Sequence, residues 1–346
     1  MPSMRAARFD RASGNLAVKD VPVPEPAPGE VLVRVKACGI CLSDVHLIDG
    51  SLPAPLPEVT LGHEAAGVIE AVGRGVPGWQ PGQRVVMAGG RACWRCRNCI
   101  RGRPNECLQP EIMGSFYDGA WAEYVVVPYS ALTAIPDQLP FEQAAILADA
   151  VATPYAGLID RAALRPGEAV GLWGIGGLGV HAVQIARMVG ATPIIAVDPK
   201  ASARARALTV GADHALDPDA GDVREEVLRQ TDGQGLDLAV DLVGANAVLA
   251  EAGSCLGRYG RLLMVGLSQD PIQLGPSLLF GLASQSLLGH LGYAKRHLDQ
   301  LVELVAHGRL DVTRSISGTM PLEDVARGVR QLVTKEGNPI RLVVTP

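Results

Sequence analysis

An apolar run, Val170-Gly-Leu-Trp173, leads directly into Gly174-Ile-Gly-Gly-Leu-Gly179, and a helix-like run from Val180 to Val189 follows. The pattern G-x-G-x-x-G says little by itself in a chain with 40 glycines among 346 residues. Between a strand and a helix, each glycine acquires a physical reason. Gly174 permits the tight turn, Gly176 lets backbone approach a pyrophosphate, and Gly179 lets helix and strand pack closely. The helix N-terminus then offers free N–H groups and a favourable dipole to the phosphates. A second apolar run, Ile194-Ile-Ala-Val, ends in Asp198, nineteen residues after Gly179. A carboxylate there accepts from both adenosine ribose hydroxyls and repels a 2′-phosphate, which favours NAD over NADP. The plainer readings are an ordinary turn and a helix-capping Asp before Pro199.

The glycine turn belongs to a longer rhythm. From about Phe141, helical stretches alternate with short apolar runs, including Leu236-Asp-Leu-Ala-Val and Arg261-Leu-Leu-Met-Val. That alternation predicts an α/β architecture, a doubly wound parallel sheet of the Rossmann type over residues 151–287. Residues 1–150 read as β-rich: Val31-Leu-Val-Arg-Val-Lys alternates at period two, with prolines at 22, 24, 26 and 28 before it. The segment 288–346 is predicted to complete the parallel sheet and return to the first domain, because Ile340-Arg-Leu-Val-Val has no place in the α/β rhythm.

Apolar residues make up 48% of the chain but aromatics only 4%, so Ala, Val, Leu and Ile must build the cores. A net charge of −5 argues against a general polyanion binder. Met1 to Asp10 lacks the apolar core of a secretory signal, which predicts a cytoplasmic protein. Pro271 to Ala294 carries no Asp, Glu, Lys or Arg, yet Pro276, four glycines and three serines break it. A buried helix followed by a buried strand is expected there, with no membrane span.

Four of the seven cysteines crowd into fifteen residues as Cys93-x2-Cys96-x2-Cys99-x7-Cys107. Four thiolates satisfy a tetrahedral zinc ion, and the polar residues between them could form no core without it. An iron–sulfur cluster or disulfides are the other uses of such a set. Five arginines between Arg91 and Arg103 raise a nucleic-acid zinc ribbon as a further reading; a solvated rim is the plainer one. Cys38 and Cys41 share the Cys-x2-Cys spacing that redox pairs also use, a reading that a metal role for Cys41 would displace, and Cys255 reads as a buried thiol.

Gly39-Ile-Cys-Leu-Ser-Asp-Val-His46 and Gly62-His-Glu64 complete the motif set. With the four-cysteine lobe at 91–110, the glycine turn and the last strand, the whole chain resembles the zinc-containing alcohol dehydrogenases of the medium-chain dehydrogenase/reductase family. The resemblance implies a GroES-like catalytic domain and two zinc ions per chain. One is structural, held by Cys93, Cys96, Cys99 and Cys107. The other is catalytic, held by Cys41, His63 and Asp149, where Asp149 replaces the family's usual cysteine, as it does in some bacterial members. It implies further that Asp44 orients His63, that Glu64 is a second-shell or transient fourth ligand, and that Ser43, the cofactor ribose and His46 relay a proton. Thr153, Leu178, Leu267 and Arg341 match positions near the cofactor. Leu42 and Ala203 depart from the family by standing where basic, cofactor-binding residues are common.

The activity implied is reversible oxidation of a primary or secondary alcohol to aldehyde or ketone with NAD, secondary alcohols being favoured. The rivals are a polyol or amino-alcohol dehydrogenase, a zinc-free reductase and the non-enzymatic zinc ribbon. Leu52, Phe116, Tyr117, Trp121, Leu291 and Tyr293 are expected around the substrate. A homo-oligomer is expected, a tetramer before a dimer, with no nucleic-acid or membrane partner.

Overall fold

The computed structural model describes residues 2–346, and the chain divides into two compact units, Met1–Ala152 with Ala294–Pro346, and Thr153–Tyr293. The first unit is organised by the strand Glu30–Ile40. One edge pairs antiparallel with Ala65–Val72; the other pairs with Tyr124–Pro128 and then with Arg341–Thr345. Val33 and Val35 face the core while Arg34 and Lys36 face out, as a half-buried strand requires. Arg84–Met87 and Leu132–Ala134 extend the sheet at one end, and Ile316–Pro321 extends it at the other. Its core gathers Val33, Ile40, Leu61, Ile69, Met87, Trp121 and Leu132, each aliphatic side chain worth about 1.5–3 kcal/mol when fully buried.

The second unit holds a six-stranded sheet in which every pairing is parallel. Its order is His214–Leu216, Ile194–Val197, Val170–Trp173, Leu236–Asp241, Leu256–Met264 and Ser286–Gly289. Val170–Trp173 and Ile194–Val197 are buried along their whole length, which is why they read as unbroken apolar runs. The chain turns one way from Val170–Trp173 to Ile194–Val197 and the other way to Leu236–Asp241. The glycine turn therefore lies at the switch point where such sheets bind ligands.

Two expectations change. The parallel sheet ends with Ser286–Gly289, and from Ala294 onward the chain belongs to the first unit. The segment 288–346 thus adds only the end of that strand, because Ile316–Pro321 and Arg341–Thr345 pair with each other and extend the β-rich sheet. The helix expected to be buried, Ser277–Leu282, is exposed, with Leu278, Leu279 and Leu282 all facing outward. No layer of its own unit covers it, and Ser286–Gly289 is a half-buried edge strand. No helix among the described residues is long and apolar enough to cross a membrane.

Candidate active site and metal centres

Cys41 ends the strand Glu30–Ile40 and begins the short helix Leu42–Ile48. Asp44, in that helix's first turn, is fully buried and fastens two segments together. Its Oδ2 accepts from the Cys41 N–H at 2.9 Å, and its Oδ1 accepts from the Gly62 N–H at 3.2 Å. The same Oδ1 lies 3.3 Å from Nδ1 of His63, which leaves Nε2 for the cluster. Gly62 has φ of +91°, and a Cβ there would fall 2.4 Å from Trp121 Cδ1, so only glycine fits before His63.

Asp149 projects from a π-helical turn, Leu147–Val151, a local widening common at functional sites. Its Oδ2 lies 3.3 Å from Cys41 Sγ and 3.8 Å from His63 Nε2. Ser43 Oγ stands 3.1 Å from the same sulfur and 3.4 Å from the same ring nitrogen. Ligand atoms of Cys41, His63, Glu64 and Asp149 all lie within 4.8 Å of one another. Burial raises the Cys41 thiol above its ordinary value, and Asp149 raises it further. Burial opposes charge on His63, but Asp44 and Asp149 carry the imidazole well above its ordinary value. Asp44 and Asp149 thus favour positive charge at His63, and the sulfur, nitrogen and oxygen donors suit zinc.

Behind the cluster, Arg341 Nη2 lies 3.1 Å from Glu64 Oε1, while Nη1 donates to the Ile40 carbonyl at 3.1 Å. Both side chains are buried, and burial pushes Glu64 up to about 8 against the pull of Arg341. A Cβ on Gly39 would meet Glu64 Oε2 at 2.0 Å, so the glycine makes room for the carboxylate. This pairing draws the final strand to the metal cluster.

In the four-cysteine lobe, Cys96 Sγ lies 3.5 Å and Cys93 Sγ 4.0 Å from Cys99 Sγ. Tetrahedral coordination with Zn–S bonds of about 2.3 Å requires sulfurs about 3.8 Å apart. Backbone N–H groups of Cys93 and Gln109 donate to Cys107 Sγ, each at 3.3 Å, and that of Cys96 donates to Cys93 Sγ at 3.4 Å. Cys96 is pulled down to about 6, chiefly by the backbone N–H groups of Leu108 and Cys99. All four ligand atoms lie within 4.8 Å of one another, and all seven cysteines are free of disulfides. A zinc ion fits here as well.

At the glycine turn, Gly174 has φ of +90°, and a Cβ on Gly179 would strike the Gly174 carbonyl at 2.0 Å. A Cβ on Gly176 would meet nothing within 4 Å, so this backbone faces open space, as a cradle for phosphate must. Leu178 precedes the helix Gly179–Val189. Asp198 Oδ2 accepts from the Ile175 N–H at 2.8 Å and Oδ1 from the Lys200 N–H at 2.9 Å. The carboxylate is pinned at the turn and also closes the bend into the next helix, so the capping reading holds part of the truth. Leu267 is exposed beside Gly244, and Thr153 is buried.

Two predicted positions lie otherwise than expected. Trp121 is fully enclosed and donates to the Gly39 carbonyl at 3.2 Å, so it backs the metal cluster and presents no surface to a substrate. Tyr117 lies under the Arg91 guanidinium, 4.0 Å from its ring centroid, and lines a separate cavity with Arg8 and Thr60. His46 is partly exposed, with Nδ1 3.8 Å from Asp49 Oδ2. One contact escaped the sequence: His290 Nε2 lies 2.9 Å from the Thr153 carbonyl. No spacing signal joins residues so far apart.

The alcohol dehydrogenase GroES-like domain model matches residues 27–137, and the zinc-binding dehydrogenase model matches residues 177–307. An NAD-dependent alcohol dehydrogenase of Sulfurisphaera tokodaii is 32% identical, over 95% of this chain and 96% of its own. The structure of the alcohol dehydrogenase TADH from Thermus sp. ATN1 is 33% identical, covers 99% of both chains and superposes with a TM-score of 0.92. A structure from Sinorhizobium meliloti 1021 that holds NADP is 30% identical over the whole of both chains, with a TM-score of 0.93. Models in both units and relatives along almost the entire length agree with the two clusters and the glycine turn: the chain belongs to the zinc-dependent alcohol dehydrogenases of the medium-chain dehydrogenase/reductase family.

Proposed function

We propose that this enzyme reversibly oxidises an alcohol to an aldehyde or ketone with hydride transfer to NAD, and that secondary alcohols are its better substrates. The observation that carries the proposal is the half-buried Cys41–His63–Asp149 cluster with a serine hydroxyl beside it, in a chain that also carries a dinucleotide turn. A zinc ion held by Cys41, His63 and Asp149 would supply Lewis acidity at this position, making an alcohol hydroxyl more acidic. Ser43 Oγ takes the substrate hydroxyl's proton as it passes its own through the cofactor ribose to His46, a partly exposed residue of the same short helix that releases it to solvent. Asp44 holds His63 in the tautomer that keeps Nε2 free, and Glu64 is steadied by Arg341.

Asp198 selects NAD through the ribose hydroxyls, Gly174, Gly176 and Gly179 receive the pyrophosphate, and Thr153, Leu178 and Leu267 lie toward the nicotinamide. Arg341 is placed near the cofactor by resemblance alone; its visible work is on Glu64. Two zinc ions per chain and a homotetramer complete the reading. The exposed leucines of Ser277–Leu282 beside the edge strand Ser286–Gly289 support self-association. Free cysteines suit the cytoplasm. An NAD-reduction screen over an alcohol panel, with zinc counted per chain, tests the proposal. Turnover of 2-butanol with two zinc ions is expected. A single zinc would remove Asp149 from the ligand set, and far faster turnover of sorbitol or threonine would overturn the substrate class.

A further inference from the structure

Arg206 lies on the helix Ala201–Val210, which follows the strand leading to Asp198. Its Nη2 reaches back to the glycine turn and donates to the Ile175 carbonyl at 3.0 Å. The N–H of the same Ile175 donates to Asp198 Oδ2. One residue of the turn therefore tethers a carboxylate through its donor and a guanidinium through its acceptor. Burial lowers the Arg206 guanidinium from its ordinary value and Asp198 opposes that, so the two charges lie within electrostatic reach. The neighbouring cation is engaged elsewhere: Arg204 donates to the carbonyls of Asp198 and Pro199, each at 2.8 Å, and pairs with Asp217 at 2.8 Å. Ala203 is buried and carries no charge.

We propose that Arg206 is a latent anchor for a 2′-phosphate, masked by Asp198, and therefore a second residue that sets cofactor choice. The inference rests on the reading that Asp198 holds the adenosine ribose. Each Asp198 oxygen already accepts one backbone N–H and keeps capacity for a ribose hydroxyl. A 2′-phosphate meets that carboxylate as a like charge. Without the carboxylate, the guanidinium remains tethered at the turn with a geometry suited to phosphate oxygens.

The test is calorimetric titration of the zinc-loaded enzyme with 5′-AMP and with adenosine 2′,5′-bisphosphate, which needs no turnover. Asp198→Ala should weaken 5′-AMP and tighten the bisphosphate. Adding Arg206→Leu should then cost the bisphosphate about tenfold or more, the worth of one charge-assisted hydrogen bond, and cost 5′-AMP less than about threefold. Arg206→Lys in the same background should recover part of the loss, which a packing defect would not allow. If Asp198→Ala leaves both ligands unchanged, the ribose reading fails. If that variant shifts selectivity and Arg206→Leu does not reverse it, or Lys200→Met reverses it instead, the Arg206 assignment is overturned alone.

Discussion

Cys93, Cys96, Cys99 and Cys107 come from fifteen consecutive residues, and backbone N–H groups point at their sulfurs. Cys41, His63 and Asp149 come from separate segments and meet against a packed core of Ile40, Leu61 and Trp121. Around the first set, Trp94, Ile100 and Leu108 are exposed; around the second, Asp44, Glu64 and Arg341 are buried and paired. The lobe has few buried side chains to fix its shape and is expected to lean on an ion for it, whereas the mixed cluster is shaped by the sheet behind it. Four sulfurs close a coordination shell, whereas three mixed donors beside a serine leave a position for substrate.

That contrast is open to breakage. Cys41→Ala should lower kcat/KM by about 10³-fold or more, as loss of the metal's charge stabilisation implies, with one zinc still bound and a melting temperature near that of the parent. A variant retaining a tenth of the activity would remove the chemistry from this cluster. Asp44→Asn keeps the shape but loses a charge that orients His63, so catalytic-zinc affinity should fall about 10–100-fold, read by competition with a chelator. An unchanged affinity would show that the sheet alone positions the imidazole.

His46→Gln should cost about tenfold in kcat below neutral pH and little at alkaline pH, where hydroxide takes the proton directly. A flat ratio across the pH profile would sink the relay. Cys99→Ser addresses the other side of the comparison. One zinc should be lost and the melting temperature should fall by several degrees, on the order of 1–2 kcal/mol at about 2–4 °C each. Activity of the molecules still folded should stay within about threefold, since the lobe supplies no reacting group.

What the sequence revealed divides along the same line. The four cysteines and three glycines act through neighbours a few residues away, so spacing carried their meaning. Cys41 and His63 look ordinary alone, and Asp149 became a ligand only through resemblance, because the contacts joining them span most of a domain. The His290–Thr153 contact and the Arg206 tether to Ile175 are long-range as well, and no periodicity announces them. Ser277–Leu282 was misjudged because apolar composition reports what a segment avoids, not which layer covers it. Trp121 and Tyr117, expected around the substrate, are turned elsewhere: one fills the space above Gly62 and the other lies under Arg91, directions that a sequence does not encode locally.

The strand Arg341–Thr345 pairs with Cys38–Ile40 and brings Arg341 against Glu64. During synthesis Cys41, His63, Glu64 and Asp149 are all made well before this strand, so the cluster's side chains precede the arginine that pairs with Glu64. Loss of this strand would leave the sequence of Cys41, His63 and Asp149 intact but remove both the partner of Glu64 and the interior strand that joins Glu30–Ile40 to Ile316–Pro321.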